Sequence, residues 1–216
     1  MMIIKVFVIG AHGQIGQHLI KLLAARGHQV FAGVRDVTQL DKTTGITPVA
    51  FDLEALPATL ATPLKGMDAV IFTAGSGGQT GADKTMLVDL DGAIKSMQAT
   101  EAAGVARFII VSALYTDDRS KWLGAMKPYY AAKYYADEWL RHHTNLAYTI
   151  IRPGGLTNDQ PIDKVQLDTD QDVAGKIARA DVATVIADTL ENPRTVKRTF
   201  NVISGEKLIK NAINDL

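Results

Sequence analysis

Tyr129 and Lys133 stand four residues apart in the run Lys127-Pro-Tyr-Tyr-Ala-Ala-Lys133, a spacing that brings two side chains to one face of a helix. A phenol that ordinarily ionises at about pH 10 is a poor acid–base group at neutrality unless a nearby cation favours its phenolate, and an ammonium one turn away supplies that charge. Ser112, at the end of the apolar run Phe108-Ile-Ile-Val111, is placed to hold a carbonyl oxygen that receives a proton. At about 100° per residue, Tyr129 lies roughly 50° and Lys133 roughly 90° from the centre of an apolar stripe formed by Ala132, Tyr135, Ala136, Trp139 and Leu140. Tyr130 falls roughly 150° away, so Tyr129 is the better candidate for the edge of a cleft.

Two glycine clusters stand apart from the remaining glycines. The first, Gly10-Ala11-His12-Gly13-Gln14-Ile15-Gly16, follows an apolar run and opens a helical pattern. A pyrophosphate needs glycine at such a junction for a tight turn, for close backbone approach and for packing of helix on strand, with the positive helix end aimed at the anion. The second cluster, Thr73-Ala74-Gly75-Ser76-Gly77-Gly78, begins where a fourth strand is expected to end. In a doubly wound sheet the first and fourth strands are neighbours, so both loops should face one crevice.

Arg35 ends the second expected strand. An acidic residue there would bind the ribose hydroxyls of NAD, whereas Arg pairs with a 2′-phosphate, so NADP is expected rather than NAD. Asp36 follows it and reads as the N-cap of the next helix. Asp52 and Leu53, after the third strand, border either the adenine or an ordinary turn.

These groups must be held by elements, and the chain supplies them in alternation. Strands are expected at 3–9, Gln29–Val34, Pro48–Phe51, Ala69–Phe72, Arg107–Val111, Tyr148–Ile151 and Thr199–Val202; helices at Gln14–Arg26, 83–103, Pro128–His142 and Asp181–Leu190. That order implies an α/β fold, a doubly wound parallel sheet with helices on both faces. A single domain over 1–216 is expected, with 154–196 contributing a small substrate-side region, and the polar stretch from Leu156 to about Ala180 resists assignment.

With 216 residues, 47% hydrophobic and 21% charged, the chain can bury a sizeable core. Its 23 Lys and Arg balance 23 Asp and Glu, leaving no field to gather nucleic acid or an anionic membrane. The absence of cysteine removes thiol nucleophiles and cysteine metal sites, and adjacent His142 and His143 cannot converge on one ion, so no metal is expected. The start, Met1-Met2-Ile3-Ile4-Lys5, runs into a strand, and no apolar run approaches the roughly 20 residues of a membrane span, so a cytoplasmic protein is expected. Trp122 either caps a pocket or covers the core, and Arg194, Lys197 and Arg198 read as a surface turn.

Taken together, Gly10-x-x-Gly13-x-x-Gly16, Ala74-Gly75, Ser112 and Tyr129-x-x-x-Lys133 resemble the short-chain dehydrogenase/reductase superfamily. Tyr148-Thr-Ile-Ile-Arg-Pro-Gly-Gly-Leu156 and the short length are similar to its atypical NAD(P)-binding branch, which includes flavin and biliverdin reductase-like proteins with a Rossmann-like fold. The resemblance implies that Tyr129 is the general acid/base, that Lys133 lowers its pKa and holds the nicotinamide ribose, that Ser112 orients substrate, and that Pro153-Gly154 lines the nicotinamide end. Asp89, in Val88-Asp-Leu-Asp-Gly92, stands where many such relatives carry Asn.

The expected function is NADP-dependent hydride transfer to a small carbonyl, quinone or flavin-like acceptor. A non-enzymatic sensor of NADP(H) is the alternative, and a sugar-nucleotide epimerase-like enzyme is disfavoured by the short remainder after the dinucleotide fold.

Overall fold

The computed structural model describes residues 3–41, 43–78, 80–169 and 173–216; Met1, Met2 and residues 170–172 of the unassigned polar stretch lie outside them. The elements run β1 Lys5–Ile9, α1 Gln14–Ala25, β2 Gln29–Val34, β3 Ile46–Ala50, α2 Pro57–Ala61, β4 Ala69–Phe72, α3 Ala82–Lys84, a π-helical stretch Thr85–Gly92, α4 Ala93–Ala102 and β5 Arg107–Val111. There follow α5 Lys127–His142, β6 Ala147–Pro153, β7 Gly155–Thr157, β8 Lys164–Asp168, β9 Lys176–Ala178, α6 Arg179–Glu191, β10 Arg198–Ser204, β11 Lys207–Leu208 and α7 Ile209–Asn214.

Nine strands form one sheet in the order β11-β8-β10-β6-β5-β4-β1-β2-β3. The seven from β10 to β3 pair in parallel, while β8 joins β10 and β11 antiparallel. The strand order reverses between β1 and β4, as expected, and this Rossmann-like α/β sheet carries helices on both faces. One face buries Val6, Val8, Ile71, Ile109 and Phe200 against Leu19, Leu23, Val182 and Ile186 of α1 and α6. The other buries Phe7, Phe72, Phe108 and Ile110 against Met97, Ala136 and Leu140 of α4 and α5. Each fully buried large apolar side chain contributes about 1.5–3 kcal/mol, which is why the central strands are continuous apolar runs.

The polar stretch after Leu156 holds short elements: β7 and β9 make a separate parallel pair, and β8 lies between β10 and the terminal strand β11 of the main sheet. At the other end, β3 carries Pro48. The amide of Phe51 donates inward to Val34 O at 2.8 Å, so by alternation the nitrogen of Pro48 faces outward, the only side an edge strand tolerates it.

The expected helix at 83–103 is broken into α3, the π stretch and α4. π turns are rare and concentrate at functional sites, and this one carries Asp89 into the interior.

Candidate active site

The first glycine loop is built tightly. Gly10 has φ of 82°, a left-handed conformation that disfavours any side chain, and a Cβ there would lie 2.6 Å from the amide nitrogen of Ala74. A Cβ on Gly16 would strike the carbonyl oxygen of Gly10 and the backbone of Ala11. Thr73 Oγ1 donates to Ile9 O at 2.9 Å, fastening the second glycine loop to the first. The two loops therefore share one crevice, between β1 and β4.

Helix α1 begins after Gly13 with no side chain capping it, so the amides around Gln14, Ile15 and Gly16 form an open, positive helix end of the kind that binds phosphate. The glycine cradle, which no side chain could share, and this open end fit the pyrophosphate of a dinucleotide.

Arg35 is exposed at the end of β2. It borders a cavity of about 700 Å³ lined also by Phe51, Asp52, Ala55, Thr59 and Pro63. Asp36 is engaged elsewhere: its carboxylate accepts from Thr38 N at 2.9 Å and from Thr38 Oγ1 at 2.7 Å, and Gln39 returns the bond in a capping box. These bonds hold the Asp36 carboxyl below its usual range. Asp52 Oδ1 accepts from Glu54 N at 3.0 Å, a turn bond made on the wall of the same cavity. Leu53 packs against Gly92, where a Cβ would lie 3.3 Å from the leucine Cβ.

Lys133 is 3% exposed, deeper than its position on the helical wheel implies. The buried face of α5 is Ala132, Lys133, Ala136, Asp137 and Leu140, whereas Tyr135, expected in the stripe, is 51% exposed. The helix turns two charged residues inward because each meets a partner there, without which a buried charge is costly. Lys133 Nζ donates to Val111 O at 3.1 Å and lies 3.5 Å from Asp89 Oδ1. The other oxygen of Asp89 accepts from Ser76 N at 3.0 Å, so the π stretch, the second glycine loop and α5 meet at one ammonium.

Tyr129 is half-buried, its ring centroid 5.8 Å from Lys133 Nζ and edge-on to the ring of Tyr130. Burial pushes the Tyr129 phenol above its ordinary pKa; Lys133 pulls it down, and Asp89, Tyr130 and Asp137 oppose that pull. Burial pulls Lys133 down, but Tyr129, Asp89 and Asp137 raise it further, so it remains an ammonium.

Ser112 follows β5 directly, its hydroxyl donating to Asp137 Oδ2 at 2.9 Å. Its hydrogen is thus committed to Asp137, whereas the sequence leads one to expect it on a carbonyl oxygen. The same carboxylate oxygen accepts from Arg152 Nε at 3.0 Å and Nη2 at 2.8 Å, and Arg152 forks onto Asp117 at 2.5 and 2.7 Å. Arg152 therefore ties β6 and α5 to the loop after β5. Asp137 and Arg152 are both buried and are absent from the sequence-derived site. Their signal is chemical: an arginine within Ile150-Ile151-Arg152-Pro153 demands a carboxylate partner.

Pro153 ends β6, its carbonyl accepting from Leu114 N at 3.0 Å, while Gly154 N donates to Val202 O at 2.9 Å. Trp122 is buried beneath the loop, its Nε1 donating to Tyr115 O at 3.1 Å and its ring edge-on to Tyr134. His142 is exposed and His143 stacks near Trp139; among the described residues no group of three metal ligands occurs. No helix among them is long and apolar enough to cross a membrane.

The chain is 46% identical over 215 residues to YhfK of Bacillus subtilis, named an uncharacterised sugar epimerase, covering 98% of this chain and all of that protein. The oxidoreductase ylbE of Lactococcus lactis is 36% identical and superposes with a TM-score of 0.92 over 98% of this chain and 96% of its own. A putative NAD-dependent epimerase/dehydratase of Bacillus halodurans is 37% identical with a TM-score of 0.92, covering 99% and 100%. A family model described as NAD(P)H-binding matches residues 10–193, a span that includes both glycine loops, Asp89, Ser112, Tyr129, Lys133 and Pro153, and the chain belongs to that NAD(P)H-binding family.

Proposed function

We propose that the protein is an NADPH-dependent reductase of a small carbonyl, quinone or flavin-like acceptor. The observation that carries this reading is the Tyr129 ring 5.8 Å from the buried ammonium of Lys133, which Asp89 and Ser76 link to the second glycine loop.

Gly10, Gly13, Gln14, Ile15 and Gly16 hold the pyrophosphate; Arg35 takes the 2′-phosphate, free of competition because Asp36 is tied to Thr38. Asp52 and Leu53 flank the adenine, and Ala74, Gly75 and Pro153 flank the nicotinamide half. NADPH, when bound, supplies the hydride. Tyr129 Oη gives its proton to the acceptor oxygen as the carbon–oxygen double bond becomes a single bond, leaving a phenolate that Lys133 stabilises and solvent reprotonates. Ser112 acts as a positioning residue, bonding the end of β5 to α5 through Asp137. Residues 154–196 form the substrate side, where β7 and β9 border a cavity of about 400 Å³ lined by Thr157, Asp159, Gln160 and Lys176.

The names of two relatives favour a second reading, epimerisation. An epimerase needs a base at rest, and a phenol held above its ordinary pKa is the wrong starting state. The test is NADPH oxidation with a panel of carbonyls, quinones and flavins, then the same with Tyr129→Phe. Wild-type turnover should fall by about 10²–10⁴-fold in the variant with a carbonyl acceptor. Unchanged turnover sinks the proton-donor role, and tight NADPH binding with no acceptor turned over sinks the reductase in favour of a sensor.

A further inference from the structure

We infer that Asp89 is the positioning residue that offsets the pull of Lys133 on the Tyr129 proton, by acting as the fixed counter-charge of that ammonium. The inference rests on the reading of Tyr129 as proton donor and adds a residue that tunes how readily it gives up its proton.

Asp89 is 0% exposed, yet one of its carboxylate oxygens, Oδ1, has no hydrogen-bond partner within the described residues. That oxygen points toward Lys133 Nζ, 3.5 Å away, while the other is pinned by the Ser76 amide. A buried carboxylate with one oxygen held by backbone and the other aimed at an ammonium is an electrostatic fixture, since its orientation cannot relax. Gly75 leaves room for it: a Cβ there would lie 3.2 Å from Oδ1. The π-helical stretch presents the residue, placing Asp89 inward while neighbouring Met86 and Leu87 face out.

The consequence follows from Coulomb's law in a poorly solvated site. An unopposed ammonium near a phenol favours phenolate, and a carboxylate against that ammonium cancels most of the effect. The charged and titratable groups acting on Tyr129 are Lys133, Asp89, Tyr130 and Asp137. Arg152 and Ser112 already bind Asp137, which leaves Asp89 as the carboxylate that faces Lys133. The pair is also tied to the second glycine loop, through the Ser76 amide that holds the other oxygen of Asp89.

The experiment is a spectrophotometric tyrosinate titration of the full chain, compared with Tyr129→Phe so that the difference isolates one phenol, and repeated in the Asp89→Asn background. Asn preserves shape and the Ser76 bond while removing the charge. The Tyr129 transition should move down by about one pH unit or more in Asp89→Asn. Asp89→Ser, smaller and also neutral, carries the same expectation if the first variant does not fold. A midpoint that stays in place or rises in either folded variant overturns the inference. Because the titration needs no acceptor and no turnover, that failure is distinct from the failure of the reductase reading, which NADPH oxidation measures.

Discussion

The hydroxyl of Ser112 donates to the carboxylate of Asp137 at 2.9 Å, with both residues buried. The serine thus faces a fixed acceptor on α5, one turn beyond Lys133, and joins a chain that passes through Arg152 to Asp117.

Ser112→Ala should therefore act on stability before chemistry. Loss of one hydrogen bond to a charged acceptor costs about 1.5–3 kcal/mol, which for a domain of this size lowers Tm by roughly 3–12 °C. NADPH should still raise the melting temperature of the variant by the same increment as in wild type. An unaltered Tm together with collapsed turnover would place the hydroxyl on the acceptor instead.

Arg152 makes Asp117 and Asp137 respond to acid in opposite directions. Burial raises the Asp117 carboxyl, but its bonds to Arg152 and the charge of Arg141 outweigh that and hold it below its ordinary pKa. A carboxyl lowered on folding stabilises above its unfolded pKa, about 4, and that contribution is lost as pH falls through the folded value. Burial raises Asp137 despite Arg152 and Ser112, so its charge opposes folding at neutrality and protonation on acidification relieves that cost. Asp117→Asn should lower Tm at pH 7 and flatten the decline of Tm below about pH 4. An equal decline in variant and wild type would contradict the assignment.

Arg35→Ser tests the cofactor end. Loss of a charge-assisted contact to a 2′-phosphate should weaken NADPH about 10–100-fold and leave NADH nearly unchanged. Thermal shifts with each nucleotide measure this directly, since ligand at about 100 times its Kd stabilises by about 2.7 kcal/mol. Equal losses for both nucleotides would remove Arg35 from phosphate recognition.

The parts of the molecule that the sequence discloses are those governed by local pattern. β2, β4 and β5 occupy the expected residues because apolar runs bounded by glycine or polar turns admit one reading. β8, β9 and β11 escape because strands of five, three and two residues, set in a polar stretch, are too short for their pattern to stand out. The π stretch escapes because one extra residue per turn over eight residues leaves the apolar spacing nearly unchanged. In the site, Tyr129, Lys133 and the glycines are legible from spacing. The inward rotation of Lys133 and Asp137 is not, since it is decided by Asp89 and Arg152, which are distant in sequence.

The proline in β3 has a consequence outside the active site. The outward row of that strand has no donor at Pro48, and the Ile46 amide is already taken by Thr43 O at 3.1 Å, which leaves Ala50 to offer an outward amide. A foreign strand arriving at this margin finds its ladder broken at the midpoint, so two copies cannot zip their sheets together there. A fold whose central strands are nearly all apolar carries its own guard against fibre growth in a single imino acid.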